Sequence, residues 1–205
     1  MNIFAKKLSV MKYNLSEINE IIRNRRSIYP KHFSKRKVHK EMIETMLENA
    51  RWAPTHGLTQ PWSFKVFMDK GLNKLGEFHA KTYKMKTPAN LFLTKKHDKL
   101  IVNAMQSSAV IAICMKRQDI EKIPEIEEIA AVACAVQNMH LTATAYGIGA
   151  CWVTGGSAYS DEMKAFLGLR SKDKCLGLFY IGYPNIEWPK SQRQPIEYFT
   201  EWVTE

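Results

Sequence analysis

The sequence predicts a single α+β domain, and three observations carry that prediction. Its 205 residues correspond to little more than one domain of ordinary size. Apolar residues make up 45% and charged residues 24%, enough for an ordinary packed core and too apolar for a disordered chain. Segments of helical period are interleaved with short apolar or alternating runs, and no repeat, linker or low-complexity stretch separates them.

Each element follows from its local pattern. Asn14 followed by Glu17 resembles a capping box, and Leu15, Ile18, Ile21 and Ile22 then fall on one stripe, which is expected to be buried. A second helix is predicted over about residues 39–52, with Met42, Ile43, Met46, Leu47 and Ala50 on one face. Pro54 breaks it and opens a polar loop that runs to Pro61, after which Trp62 is expected in the core. Residues 63–68 alternate, with Phe64, Val66 and Met68 on one side, and read as a strand. Residues 70–106 read as helix broken near Pro88. The continuous apolar run 109–115 suits a strand buried on both faces. An Ala-rich helix over about 126–146 ends at Gly147, and strands over 150–154 and 175–182 flank a helix over 161–167. The tail from Trp188 onward holds little core material.

Charge and cysteine usage narrow the function classes. The net charge is +10, and residues 1–40 carry eleven Lys/Arg against two Glu, so almost all of the excess lies there. The cluster Arg23, Arg25, Arg26, Lys31, Lys35, Arg36, Lys37 and Lys40 reads as a solvated basic face or as a place for a small phosphorylated ligand. Only Tyr29 and Phe33 supply nearby aromatics and no nucleic-acid motif is present, so no nucleic-acid partner is expected. The longest uncharged stretch contains Gln137, Asn138 and His140, so it is no membrane span, and Lys6, Lys7 and Lys12 interrupt any signal-peptide apolar region. A cytoplasmic protein with no membrane partner is the expectation. Cys114, Cys134, Cys151 and Cys175 form no CxxC pair and read as reduced, buried thiols, with no metal site.

The candidate site residues sit where regular structure ends. Arg25-Arg26-Ser27 combines two guanidinium forks and a hydroxyl, a set suited to phosphate or to a solvated corner. Thr55 and His56 lie in the Pro54 loop without a packing role; His56 fits a titrating base, a ligand contact or an exposed side chain. Gly147-Ile148-Gly149 starts like a dinucleotide fingerprint but lacks the third Gly and follows a helix. No nucleophile elbow, P-loop or zinc-protease motif is present, so a bound organic cofactor is expected to carry the chemistry and no residue is assigned as catalytic.

Four segments, in order, resemble the motifs of the FMN-dependent nitroreductase family, closest to its compact, single-domain members. They are Ile21-Ile22-Arg23-Asn24-Arg25-Arg26-Ser27-Ile28, the loop from Ala53 to Trp62, the segment from Ala145 to Gly155, and Gln192-Arg193-Gln194-Pro195-Ile196-Glu197-Tyr198. The resemblance implies a nitroreductase-like fold, with a mixed, mainly antiparallel sheet flanked by helices, in an intertwined homodimer. Residues 14–187 would form the core and 188–205 an extension packing on the partner subunit. It further implies that Arg25, Arg26 and Ser27 hold the FMN phosphate and ribityl chain and that Arg193, with Lys190, completes the clamp. Thr55 and His56 would reach the flavin from the partner, and Trp152, Val153 and Thr154 would line the isoalloxazine. The implied activity is oxidation of NADH or NADPH, with hydride passed through FMN to a small-molecule acceptor such as a nitroaromatic or quinone. An FMN-binding sensor, carrier or flavin-modifying protein is the alternative, followed by a basic nucleic-acid-binding module. Two departures stand out: Tyr29 replaces a basic residue common in the family, leaving its role to Lys31, a helix dipole or nothing, and Thr154-Gly155 replaces a Glu-Gly of larger members.

Overall fold

The most apolar runs form four strands, and these pair into one antiparallel sheet in the order β1-β2-β4-β3. The computed structural model describes residues 13–205; Lys6, Lys7 and Lys12 lie outside them. The strands are β1 (Trp62–Phe67), β2 (Ala109–Met115), β3 (Gly149–Val153) and β4 (Lys174–Gly182). Every residue of β2 is buried, as its unbroken apolar run requires of a central strand covered on both faces. The helices are α1 (Leu15–Asn24), α2 (Lys40–Ala50), α3 (Lys70–Lys86), α4 (Thr94–Gln106), α5 (Glu125–Ala145) and α6 (Asp161–Leu167). Pro88 and a short 3₁₀ turn, Ala89–Leu91, separate α3 from α4 where the sequence predicts a break. Among the described residues no helix is long and apolar enough to cross a membrane.

The period-2 alternation of β2 and β4 divides the core between two faces. Ile111, Ile113, Phe179 and Ile181 meet Ile43 and Met46 of α2 and Val132, Val136 and Met139 of α5. On the opposite face Val110, Ala112, Leu178 and Tyr180 meet Leu72 and Leu75 of α3 and Met163 and Leu167 of α6.

Three expectations need correction. Asn14 does cap α1, accepting from the Ser16 and Glu17 backbone N–H groups, but the apolar stripe behind it is not buried. Leu15, Ile18 and Ile22 are exposed, because nothing among the described residues covers that side of the helix. Val66 is also exposed: β1 is an edge strand, and on that face Trp62, Phe64 and Met68, but not Val66, reach the core against α2 and α5. Cys134 is exposed on the outward side of α5, while Cys114, Cys151 and Cys175 are buried free thiols.

Two irregularities set up the region of interest. An isolated parallel bridge joins Ser27 to Ala150, and the Ile28 N–H donates to the Ala150 carbonyl at 2.9 Å, fastening the chain after α1 to β3. In β4 the register jumps from Gly177 opposite Ile113 to Cys175 opposite Cys114, so Leu176 is the extra residue of a bulge. Its freed carbonyl accepts the Trp152 Nε1–H at 3.0 Å. Gly177, at φ +130°, lets the indole in: a Cβ there would lie 2.5 Å from Trp152 Nε1 and 2.7 Å from the Val153 carbonyl oxygen. Gly177→Ala is expected to cost about 2–3 kcal/mol, a fall of roughly 5–10 °C in Tm by calorimetry. Gly168→Ala is the control. Gly168 is left-handed at φ +67° with nothing within 4 Å of its added Cβ, so only about 1 kcal/mol of backbone strain is expected.

Candidate functional site

A turn built around Arg25–Ser27 forms the first half of the site. After α1 the chain leaves the helix at Arg25 and runs into the Ser27–Ala150 bridge, and side chains bond its carbonyls. The Arg23 and Arg25 carbonyls accept from Arg26 Nη1, the Asn24 carbonyl from Trp188 Nε1, and the Arg26 carbonyl pairs with His140 Nε2 at 2.9 Å. Arg26 Nε also donates to the Pro189 carbonyl at 2.7 Å, tying the C-terminal tail to the turn. With four successive carbonyls so engaged, the N–H groups of Arg26 and Ser27 take no hydrogen-bond partner among the described residues.

The charge of this corner is uncompensated. Arg25 has no carboxylate partner among the described residues. Burial, then the neighbouring Arg193 and Arg26, hold its guanidinium below its ordinary pKa. Arg193 donates only to Ser191 Oγ and the Gln192 carbonyl. Two guanidiniums that repel each other suit a phosphate dianion, which can accept from both. His140 lies behind the turn with its ring edge on Phe179, and burial with the adjacent Arg25 lowers its pKa to about 4, so it is neutral near pH 7.

Beyond the turn, β3 leads to a cavity of about 530 Å³. Val153, Gly155 and Gly156 form its strand edge, Tyr29 one side, and residues of α3 and α4 the opposite wall. His79 of α3 lies in that wall, buried, with Nδ1 paired to Ser157 Oγ at 2.9 Å and Nε2 without a partner. Burial lowers its pKa to about 4. Neither histidine carries a proton to donate beyond its neutral N–H near pH 7.

The sequence-predicted residues therefore divide into two groups. Arg25, Arg26, Ser27 and Arg193 come together at the turn, and the β3 edge beside it carries Val153 into the cavity, with Thr154 exposed just past the strand end. Trp152 turns its indole to the Leu176 carbonyl and the core, which leaves its backbone, not its ring, toward a ligand at this edge. Thr55 and His56 stand apart. Thr55 Oγ1 shares a hydrogen bond with Thr59 Oγ1 at 3.0 Å, and exposed His56 Nδ1 pairs with Glu127 Oε2 at 2.6 Å. Glu127 and His140 are thirteen residues apart on α5, so the His56 loop lies about 20 Å along that helix from the arginine turn. One chain does not bring the two groups together. His79, Tyr83 and Asn103 of the cavity wall carry no motif, and only the mixture of polar and apolar residues on the inner faces of α3 and α4 marks them.

Comparison with known proteins gives the family and the fold. The family model described as the nitroreductase family matches residues 22–183. A Bacillus subtilis (strain 168) protein provisionally named NAD(P)H nitroreductase YfhC is 30% identical over 189 residues, covering 91% of this chain and 94% of that one. The crystal structure of a nitroreductase-like family protein from Bacillus cereus superposes with a TM-score of 0.77 at 25% identity, over 96% of this chain and all of the other. The FMN-dependent nitroreductase NfnB from Mycobacterium smegmatis, solved in complex with NADPH, shares the fold at a TM-score of 0.73 and 19% identity, over 93% of this chain and 100% of its own. The match runs from α1 through the end of the sheet and takes in the arginine turn, the Pro54 loop and the β3 edge. This chain is a member of the nitroreductase family of oxidoreductases.

Proposed function

We propose that this protein is an FMN-dependent NAD(P)H oxidoreductase working as a homodimer, with two sites built between protomers. The observation that carries the reading is the uncompensated Arg25–Arg193 pair, beside an open cavity. In each site Arg25, Arg26 and Ser27 hold the FMN phosphate and ribityl chain, and Arg193 completes the clamp. The backbone at Trp152, Val153 and Thr154 faces the polar edge of the flavin, and Thr55 and His56 close the site from the partner protomer. The chemistry a flavin supplies there is two-electron transfer from a nicotinamide donor to an electron-poor acceptor such as a nitroaromatic or quinone. The protein's own residues bind, orient and exclude water, and none is required as an acid or base.

A second copy is supported by what the described residues leave uncovered. Leu15, Ile18 and Ile22 line one side of α1, and the 188–205 extension exposes Ile196, Phe199 and Trp202. The twofold reading also accounts for the His56 loop, which lies too far from its own arginine turn to share a site with it.

An absorption spectrum of the purified protein, followed by anaerobic addition of NADPH or NADH, tests this reading. Flavin bands that bleach with the donor and return with menadione are expected, from a species of dimer mass by light scattering. Colourless protein that takes up no added FMN would overturn it. Bound flavin that neither donor reduces would move the function to a sensor or carrier.

A further inference from the structure

A smaller cavity of about 240 Å³ adjoins the one that receives the β3 edge. The two share Tyr29, Pro30 and Asn103, and the small one adds Lys31 and Lys99. Together they are lined by four lysines and no carboxylate. Two of these lysines are already engaged: Lys86 pairs with Glu162 at 2.6 Å, and Lys96 Nζ stands 4.7 Å from the centre of the Tyr83 ring. Lys31 and Lys99, by contrast, have neither an ion pair nor a hydrogen bond among the described residues. Lys96, Lys99 and Asn103 follow i, i+3, i+7 spacing on α4 and so share one helix face, which spans about 10 Å from the large cavity to the small one.

We infer that the Lys31–Lys99 cavity is a subsite for the 2′-phosphate of the nicotinamide donor, making NADPH the preferred reductant; this rests on the function proposed above. The chemistry matches group by group. Two cations with no internal partner suit a monoester dianion and gain nothing from the hydroxyl that NADH carries at the same place. Tyr29, 54% exposed between the cavities, presents a ring on which an adenine can stack. The Asn103 amide can both donate to and accept from the base edge. The large cavity meanwhile lies along β3, so the nicotinamide end enters there while the adenosine end reaches the lysines along α4. On this reading the departure at Tyr29 from the family's basic residue supplies a stacking surface.

Two measurements on the purified holoenzyme test the subsite. In steady-state kinetics with menadione, the ratio of kcat/KM for NADPH to that for NADH is expected to exceed unity. It should fall about tenfold in Lys31→Ala/Lys99→Ala, through a raised KM for NADPH. A loss shared equally by both donors, or a wild-type preference for NADH, would overturn the assignment. Titration calorimetry with adenosine 2′,5′-bisphosphate against 5′-AMP needs neither turnover nor a variant. Tighter binding of the bisphosphate, competing with NADPH and not with menadione, supports the subsite, and equal affinities overturn it. If the bisphosphate is preferred but the protein holds no flavin, the subsite stands and the oxidoreductase reading falls. An anion that competes with the acceptor alone would assign these lysines to acceptor binding and overturn the proposal.

Discussion

Alanine at both Arg25 and Arg193 is expected to yield a folded, colourless protein. In the proposed function each guanidinium makes a charge-assisted bond to phosphate, and such bonds contribute about 1.5–3 kcal/mol apiece. Losing both should weaken FMN binding by roughly 10²- to 10⁴-fold, read from flavin fluorescence on titrating the apoprotein. Stability should move the other way or not at all. Arg25 is repelled by Arg193 and Arg26 in the folded chain, so removing the pair relieves a like-charge contact when no anion is bound. Far-UV circular dichroism and an unchanged or higher apoprotein Tm separate this outcome from general unfolding. The single variants should each lose part of the affinity, and Arg25→Lys should recover less than full binding because an ammonium lacks the planar fork. Full flavin retention in the double variant would remove the arginine turn from the site.

Mild acid is expected to destabilise the apoprotein through two buried histidines. His79 and His140 have pKa values near 4 in the folded chain, against about 6.5 when the chain is unfolded. Burial is the main cause for both, with Arg25 adding to it at His140. A depressed value means that below pH 6.5 the unfolded chain binds protons the folded chain does not, so stability falls with pH. The loss runs from about pH 6.5 down to about pH 4 and approaches about 3 kcal/mol per histidine, or about 1.4 kcal/mol per pH unit each. Urea midpoints between pH 7.5 and pH 5 should show this slope, and His79→Gln and His140→Gln should each flatten it by half. Midpoints unchanged over that range would show that neither ring stays neutral on folding. Bound phosphate would offset the repulsion between Arg25 and His140, so FMN should shrink the His140 share and leave that of His79 alone.

The sequence made the elements legible where period and burial coincide. The unbroken run of β2, the Ala-rich α5 and the break at Pro88 needed only local pattern, and each lies where that pattern put it. Periodicity failed where burial depends on something outside the element. The stripe on α1 is apolar, but period says only that residues share a side, not that the same chain covers it. Val66 alternates correctly and is still exposed, because no local feature marks β1 as the edge strand. At the site, Arg25 and Arg193 are 168 residues apart, and no spacing rule links them; only the ordered resemblance of four motifs did. His140 reads as one polar residue in an apolar helix until the fold sets it under the Arg26 carbonyl. Lys31 and Lys99 were legible as charge but not as a pair, since the short 3₁₀ turn Pro30–His32 and α4 converge only in three dimensions.

The ties from Arg26 to Pro189 and from Trp188 to Asn24 also bear on when the arginine turn becomes able to hold anything. Each contact closes a loop of more than 160 residues, so the turn cannot take its final shape until synthesis has passed residue 189. The Asn185 N–H on the His32 carbonyl and the Phe33–Pro184 bridge already bring the two segments together, so these ties complete the corner once the neighbouring pairings are made. An anion arriving there fastens the two ends of the chain to each other, and so acts as a clasp that slows the whole domain's unravelling.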